Sequence, residues 1–166
     1  MIVVADTSPI CYLLLIGEIA LLNCLYGQVL IPQAVQYELS NERAPNVVRD
    51  WISQPPQWLV VQPVDIPSEN DLNDLDVGER AAIALAEKCG ADLIVIDDLA
   101  ARKIAKSRKL IVTGVLGILD EPAKQNLVYF PEAIARLQQT TFRASSKLIQ
   151  SLLQQYQQKE LCLYLT

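Results

Sequence analysis

The chain has 166 residues, of which 51% are hydrophobic and 20% charged, and its formal net charge is −5. That balance supplies a sizeable single-domain core and excludes a disordered chain, while the acidic total excludes simple bulk attraction to nucleic acid. There is no histidine, and the four cysteines (Cys11, Cys24, Cys89 and Cys162) form no CxxC pair, so a zinc site is disfavoured and free thiols in a reducing compartment are expected.

The first element is a short apolar strand, Ile2 to Ala5, which delivers Asp6 and then Thr7, Ser8 and Pro9. Helices are expected over 9–15 and 18–26, paired around Gly17. Glu18 and Asn23 interrupt this Leu- and Ile-rich stretch, which reads as a buried helix pair rather than a membrane span. The first basic residue is Arg43, so the start lacks the positive region of a secretory signal; the expectation is a cytoplasmic protein with no membrane partner. A strand over Val29–Ile31 ends at Pro32, and "PQAVQYEL" starts a helix carrying Glu38. Residues 45–54 are expected to be helical with Trp51 and Ile52 inward, 58–64 to be a strand, and 65–78 to be an acidic loop with room for a helical turn.

The stretch from Gly78 to Leu119 is the most organised. Strong helix formers run from Glu79 to Cys89 and stop at Gly90. Leu93–Ile96 is a buried strand ended by Asp97 and Asp98. A helix follows to about Arg108, then a strand over 110–112, and a helix beginning at Thr113. Pro131 begins a further helix, and 144–157 form a Gln-rich amphipathic one. The chain ends on an apolar tail, "LCLYLT", which suits an edge strand or a subunit contact. The organisation expected is a main domain over 1–125 with a helical extension and tail over 126–166. Short apolar strands alternating with helices indicate an α/β domain: a mainly parallel sheet of four or five short strands with helices on both faces.

Ligands of such sheets bind at the carboxyl ends of the strands. Asp6 and Asp97–Asp98 end strands, and Glu38 and Glu79 sit early in helices that begin at the same edge. Each acid also has a structural reading, as a helix cap, a dipole partner or a solvated side chain. Together, four or five carboxylates on one edge are costly unless something neutralises them. A hard divalent cation with oxygen ligands does so, and Mg²⁺ keeps waters it can present as hydroxide. Charge is unevenly spread: residues 1–79 carry −9, residues 80–166 carry +4, and Arg102, Lys103, Lys106, Arg108 and Lys109 fall within eight positions. That run is placed to hold a polynucleotide backbone; its other reading is a solvated helix face.

At this point the sequence resembles the PIN-domain ribonucleases, the family that includes the VapC toxins of bacterial toxin–antitoxin pairs. The resemblance rests on "VVADTSP", "VLIPQAVQYEL", "GERAAIALA" and "LIVIDDLAARKIA", in that order, over about residues 1–125. The stretch "VTGVLGIL" is similar to a branch described only as PIN-containing, predicted nucleic-acid-binding proteins. The resemblance implies a three-layer PIN-like fold. It also implies a Mg²⁺- or Mn²⁺-dependent endoribonuclease in which Asp6, Glu38, Glu79 and Asp97 or Asp98 bind metal and activate water. Thr7, Ser8 and Thr113 would support them. It implies RNA as substrate, an antitoxin protein and a homodimer as partners. Two departures stand out: many members have Asp where this chain has Glu79, and the fourth acid has two candidates, of which strand alternation lets only one face the metal. The competing readings are a non-catalytic nucleic-acid-binding or regulatory PIN-like module and an aspartyl-nucleophile phosphatase. The latter expects D-x-D where this chain has Asp6 and Ser8. No P-loop occurs.

Overall fold

The computed structural model describes residues 1–67, 72, 74–125 and 127–164, with side chains as far as 158. By its internal contacts the chain divides into two compact units, Met1–Val115 and Leu116–Thr166. The first unit holds five strands: β1 (Val3–Ala5), β2 (Val29–Pro32), β3 (Leu59–Gln62), β4 (Leu93–Val95) and β5 (Val112–Thr113). They form one sheet in the order β3-β2-β1-β4-β5, with every neighbouring pair parallel. This is the α/β sheet expected from the sequence.

Register explains the packing. Val4 pairs with Leu30 and Ile94, Leu30 with Val60, and Ile94 with Val112, so one row of side chains crosses all five strands. Val4, Leu30 and Ile94 are buried, and this row packs against Ala82, Ile83, Leu85 and Ala86 of α5 (Val77–Cys89) and Ala101 and Ala105 of α6 (Leu99–Ser107). Side chains alternate along a strand, so Val3, Ala5, Val29, Ile31 and Val95 face the other way, and all are buried too. The strands therefore read as continuous apolar runs, the signature of a sheet covered on both faces. The remaining helices of the unit are α1 (Thr7–Leu15), α2 (Ala20–Tyr26), α3 (Gln33–Leu39) and α4 (Asn46–Ser53). The pair α1 and α2 is bent by 118° across the break between Leu15 and Ala20, and among the described residues no single helix is long and apolar enough to cross a membrane.

The sheet order reverses at β1, because the chain steps outward to β2 and β3 before crossing back to β4 and β5. That reversal opens a crevice beside the carboxyl end of β1. Ala5 is level with Val95, and the Asp6 N–H donates to the Val95 carbonyl at 2.9 Å. The chain therefore leaves β1 and β4 side by side at the residues that carry the acids.

Several element boundaries differ from the sequence reading. Glu38 is not early in its helix: α3 has seven residues and Glu38 is the sixth. Glu79 is the third residue of α5, because Val77 and Gly78 precede it. Thr113 ends β5 rather than starting a helix, and α7 begins at Val115. Of the acidic loop, residues 68–71 and 73 lie outside the described residues; Leu72 and Leu75 are buried. The second unit contains α7 (Val115–Lys124) from its second residue, α8 (Phe130–Gln138) and α9 (Ser146–Tyr164). Within it Phe130 stacks on Tyr156, ring centroids 5.9 Å apart. The tail is no edge strand as far as Tyr164, because α9 continues through Leu161–Tyr164; Leu165 and Thr166 lie outside the described residues.

Candidate functional site

Asp6 stands at the N-cap position of α1, yet its side chain makes no capping hydrogen bond. It is 1% exposed, and its Oδ1 is buried with no hydrogen-bond partner among the described residues. An isolated carboxylate in that position is expensive to ionise. Burial pushes its pKa well above the usual carboxylate range, and the charges of Asp76, Glu79 and Glu38 push the same way, against a backbone hydrogen bond from Thr7.

The neighbouring acids are held by backbone donors. Thr7, one residue along α1, donates its hydroxyl to Glu38 Oε2. Glu38 Oε1 accepts the Gly78 N–H at 2.8 Å, so its charge lies on the positive end of α5. A Cβ on Gly78 would displace the Glu38 carboxylate from this position. Asp76 and Glu79 form a reciprocal capping box, with the Glu79 N–H donating to Asp76 Oδ1 at 2.9 Å and the Asp76 N–H donating to Glu79 Oε2 at 3.1 Å. Glu79 is buried, and its pKa rises to about 7, through burial first and then the charges of Asp76, Asp98 and Glu38.

Asp97 and Asp98 occupy different surroundings. Asp98 caps α6, its Oδ1 accepting the Ala100 and Ala101 N–H groups at 2.8 and 2.9 Å, and it lies close enough to Glu79 to raise that residue's pKa. Asp97 instead points to the junction of β5 and α7. Its Oδ1 accepts the Val115 N–H at 3.0 Å, and its Oδ2 is buried without a partner. Its charged neighbour is Arg102, whose Nη1 donates to the Ile96 carbonyl at 2.8 Å. Burial lifts the Asp97 pKa to about 6, against the Val115 hydrogen bond and the Arg102 charge. Gly114 closes this pocket: a Cβ would meet Asp97 Oδ1 at 2.3 Å and Arg102 Nη1 at 2.8 Å.

Glu38 and Glu79 thus act electrostatically on Asp6, Asp98 acts on Glu79, and Asp97 stands apart with Arg102. The structure adds Asp76, which sequence reasoning passed over as loop. The D-x-x-E spacing of Asp76 and Glu79 ahead of an apolar run is a capping-box signature and was the available signal. Ser8 is half-buried in the first turn of α1, and the Thr113 carbonyl accepts the Ile96 N–H at 2.9 Å, tying β5 to the chain just before Asp97. The basic run divides as well. Arg102 is turned to Ile96 and Asp97, and Arg108 pairs with Glu87 of α5 at 2.9 Å. Lys103, Lys106 and Lys109 are exposed.

A model of the family DUF3368, described as a PIN domain, matches residues 2–158. The chain belongs to the PIN-domain family. No curated protein and no solved structure matches it. PIN domains are generally nucleases that act on nucleic acid and typically use divalent metals. The acids of this PIN domain fit such an ion in chemistry: every donor is a carboxylate oxygen, the ligand set of a hard cation. One of them, Asp6 Oδ1, is a buried orphan. They are not drawn to a single point, and among the described residues no three lie close enough to hold a metal ion.

Proposed function

We propose that this PIN domain is a Mg²⁺- or Mn²⁺-dependent endoribonuclease, the VapC-like toxin of a toxin–antitoxin module, with Asp6, Glu38, Glu79 and Asp98 as the metal-binding and catalytic acids. The observation that carries the reading is the Asp6 carboxylate. It sits at an N-cap without capping, is buried with an unpartnered oxygen, and faces other acids. A structural cap would have spent that oxygen on a backbone N–H, as Asp76 and Asp98 do.

A divalent ion bound there would supply a water of lowered pKa and a grip on a phosphate oxygen. The chain's own residues do the rest. Thr7 and the Gly78 N–H fix both oxygens of Glu38, so that it presents its remaining lone pairs in a set direction. The capping box orients Glu79 in the same way, leaving Oε1 for the ion. Asp98 keeps Oδ2 free while its Oδ1 caps α6. Asp97 is a positioning residue in this scheme, anchoring the chain after β4 to Val115. The exposed Lys103 and Lys106, one turn apart on α6, hold the phosphate backbone. An antitoxin protein and a second copy of the chain are the expected partners.

Thermal melts with and without millimolar Mn²⁺, beside an RNA cleavage assay, test the reading. Binding to the folded state raises the melting temperature, and Asp6→Asn removes both that rise and cleavage. Cleavage that persists in Asp6→Asn or in EDTA refutes it. The second reading, a non-catalytic nucleic-acid-binding module, draws on the absence of three converging acids among the described residues. It expects RNA binding with no metal-dependent cleavage.

A further inference from the structure

A cleft of about 370 Å³ opens from the acidic site, between α1 and the loop joining α3 to α4, and its walls include Thr7, Cys11, Glu38, Asn41, Arg43 and Pro45. We propose that this cleft receives one unstacked base of a single-stranded RNA substrate and that Asn41 and Arg43 read its edge, guanine fitting best. The identity of the ligand as RNA rests on the nuclease reading above.

Charge is the first argument. Residues 1–79 contain eleven acids and only two bases, Arg43 and Arg49. Arg49 is engaged, its Nη2 donating to Asn46 Oδ1 at 2.5 Å. Arg43 is exposed, and among the described residues no ion pair or hydrogen bond holds its guanidinium. The free cation of an acidic half therefore stands at the mouth of the cleft that contains Glu38. An electron-rich ligand is the complement of that placement.

Donor chemistry narrows the ligand. The Arg43 N–H donates to Asn41 Oδ1 at 2.9 Å, and the Asn41 carbonyl accepts the Ala44 N–H at 2.9 Å, so this loop has a fixed shape. With Oδ1 occupied, Asn41 offers its amide hydrogens, and a guanidinium offers only donors. Glu38 is oriented by Thr7 and Gly78, and its remaining lone pairs belong to the ion in the reading above. The polar side of the cleft is thus rich in donors and calls for a base edge with adjacent acceptors. Guanine O6 and N7 form such an edge, and arginine is its commonest bidentate partner. Cys11 and Pro45 supply less polar walls. Burial, with the charges of Asp6 and Glu38, pushes the Cys11 thiol up to about 11, so it adds no charge. The volume lies at the lower end of the roughly 300–1,000 Å³ of ligand pockets. That suits one splayed-out nucleotide, which is how proteins read single-stranded RNA, and not a duplex.

The test is fluorescence anisotropy with labelled pentaribonucleotides that differ only in a central G, A, C or U, in EDTA and low salt so that nothing is cleaved. The wild-type chain is expected to prefer the G probe roughly tenfold over the C probe. Arg43→Met should remove most of that preference, and Arg43→Lys should restore little of it, because a point charge cannot make the bidentate contact. Arg43 is exposed, so a melting temperature within about 1 °C of wild type checks the fold of both variants. Equal binding of all four probes, no binding of any, or a full G preference in Arg43→Met overturns the proposal. Failure of the nuclease reading shows separately, as absence of metal-dependent cleavage by the wild-type chain, because the anisotropy ratio needs no cleavage.

Discussion

Raising the pH should weaken the metal-free protein, against the common pattern for carboxylates. The usual buried acid is salt-bridged and gains stability as it ionises. Here burial raises the pKa of three acids, Asp97 to about 6, Glu79 to about 7 and Asp6 well above its ordinary range, and the charges of neighbouring acids add to the rise for Glu79 and Asp6. In that window the folded chain binds more protons than the unfolded one, so stability falls with rising pH. The contribution is fully present below the unfolded pKa and is lost as pH rises through the folded one. For Asp97 the window runs from 3.8 to about 6. At about 1.4 kcal/mol per pH unit this is about 3 kcal/mol in all, of which about 1.4 kcal/mol is lost between pH 5 and pH 8. A domain of this size moves roughly 2–4 °C per kcal/mol. Asp97 alone therefore lowers the melting temperature by roughly 3–6 °C over that range, with Glu79 and Asp6 adding in the same direction. Circular-dichroism melts in EDTA at half-unit pH steps measure it. Asp97→Asn should remove about the Asp97 share and leave a residual slope. Millimolar Mn²⁺ should reverse the sign, because metal binds the ionised carboxylates and binds more tightly as pH rises. A melting temperature in EDTA that is flat or rising from pH 5 to pH 8 would show that the acids are not confined as described.

Gly114→Ala forces a methyl against Asp97 Oδ1 and Arg102 Nη1; a loss of about 1–3 kcal/mol in a urea melt is expected, and a change under 0.5 kcal/mol would mean that the junction relaxes freely. Lys103→Gln with Lys106→Gln should lessen the log–log salt slope of RNA binding by about 1.4, for two lost phosphate contacts on a single strand; an unchanged slope makes these lysines a solvated helix face. Glu79→Gln retains an acceptor for the Asp76 N–H while removing charge, whereas Glu79→Ala loses half of the capping box. The Gln variant should keep the metal-free melting temperature or raise it and lose the Mn²⁺ response. The Ala variant should lose about 1 kcal/mol as well; equal melting temperatures for the two would refute the dual role of this side chain.

Much of the fold was legible because its strands are covered on both faces. Val3–Ala5, Val29–Pro32 and Leu93–Val95 are short apolar runs, and a parallel sheet is the arrangement that buries such runs. Gly90 marked the end of α5 by its left-handed conformation, as the sequence suggested. What was misplaced were starts. Pro32 drew attention to one helix beginning and the run of helix formers from Glu79 to another, but α3 is too short for Glu38 to lie in its early part, and Asp76 caps α5 three residues ahead of Glu79. The tail misled for a different reason. Six residues of apolar alternation are too few to distinguish a strand from a helix, and α9 runs on through Tyr164.

The adjacent acids at 97 and 98 illustrate the limit of reading a site from residue types. Both end β4, both are Asp, and either suits a cap or a ligand. Alternation separates them: Asp98 falls on the side of Ile94 and Ile96, which pack in the core with α5 and α6, and so approaches Glu79. Asp97 falls on the opposite side and meets Val115 and Arg102. The sequence contained the rule but not the partner, because Gly114 and Val115 meet Asp97 only after β5 has paired with β4. Asp6 differs from the other acids in its second oxygen, because Thr7 gives it a backbone hydrogen bond but no capping bond reaches its Oδ1. Glu38, Asp76, Glu79 and Asp98 each meet a backbone N–H that holds the carboxylate at a helix start. Those bonds hold the acids in place before any ion arrives, so less ordering entropy is left for binding to overcome. Asp6 adds no capping bond and leaves its Oδ1 without a donor in a buried position. Folding alone gives little reason to place it there, whereas a cation shared with its neighbours would supply the missing partner and relieve their mutual repulsion.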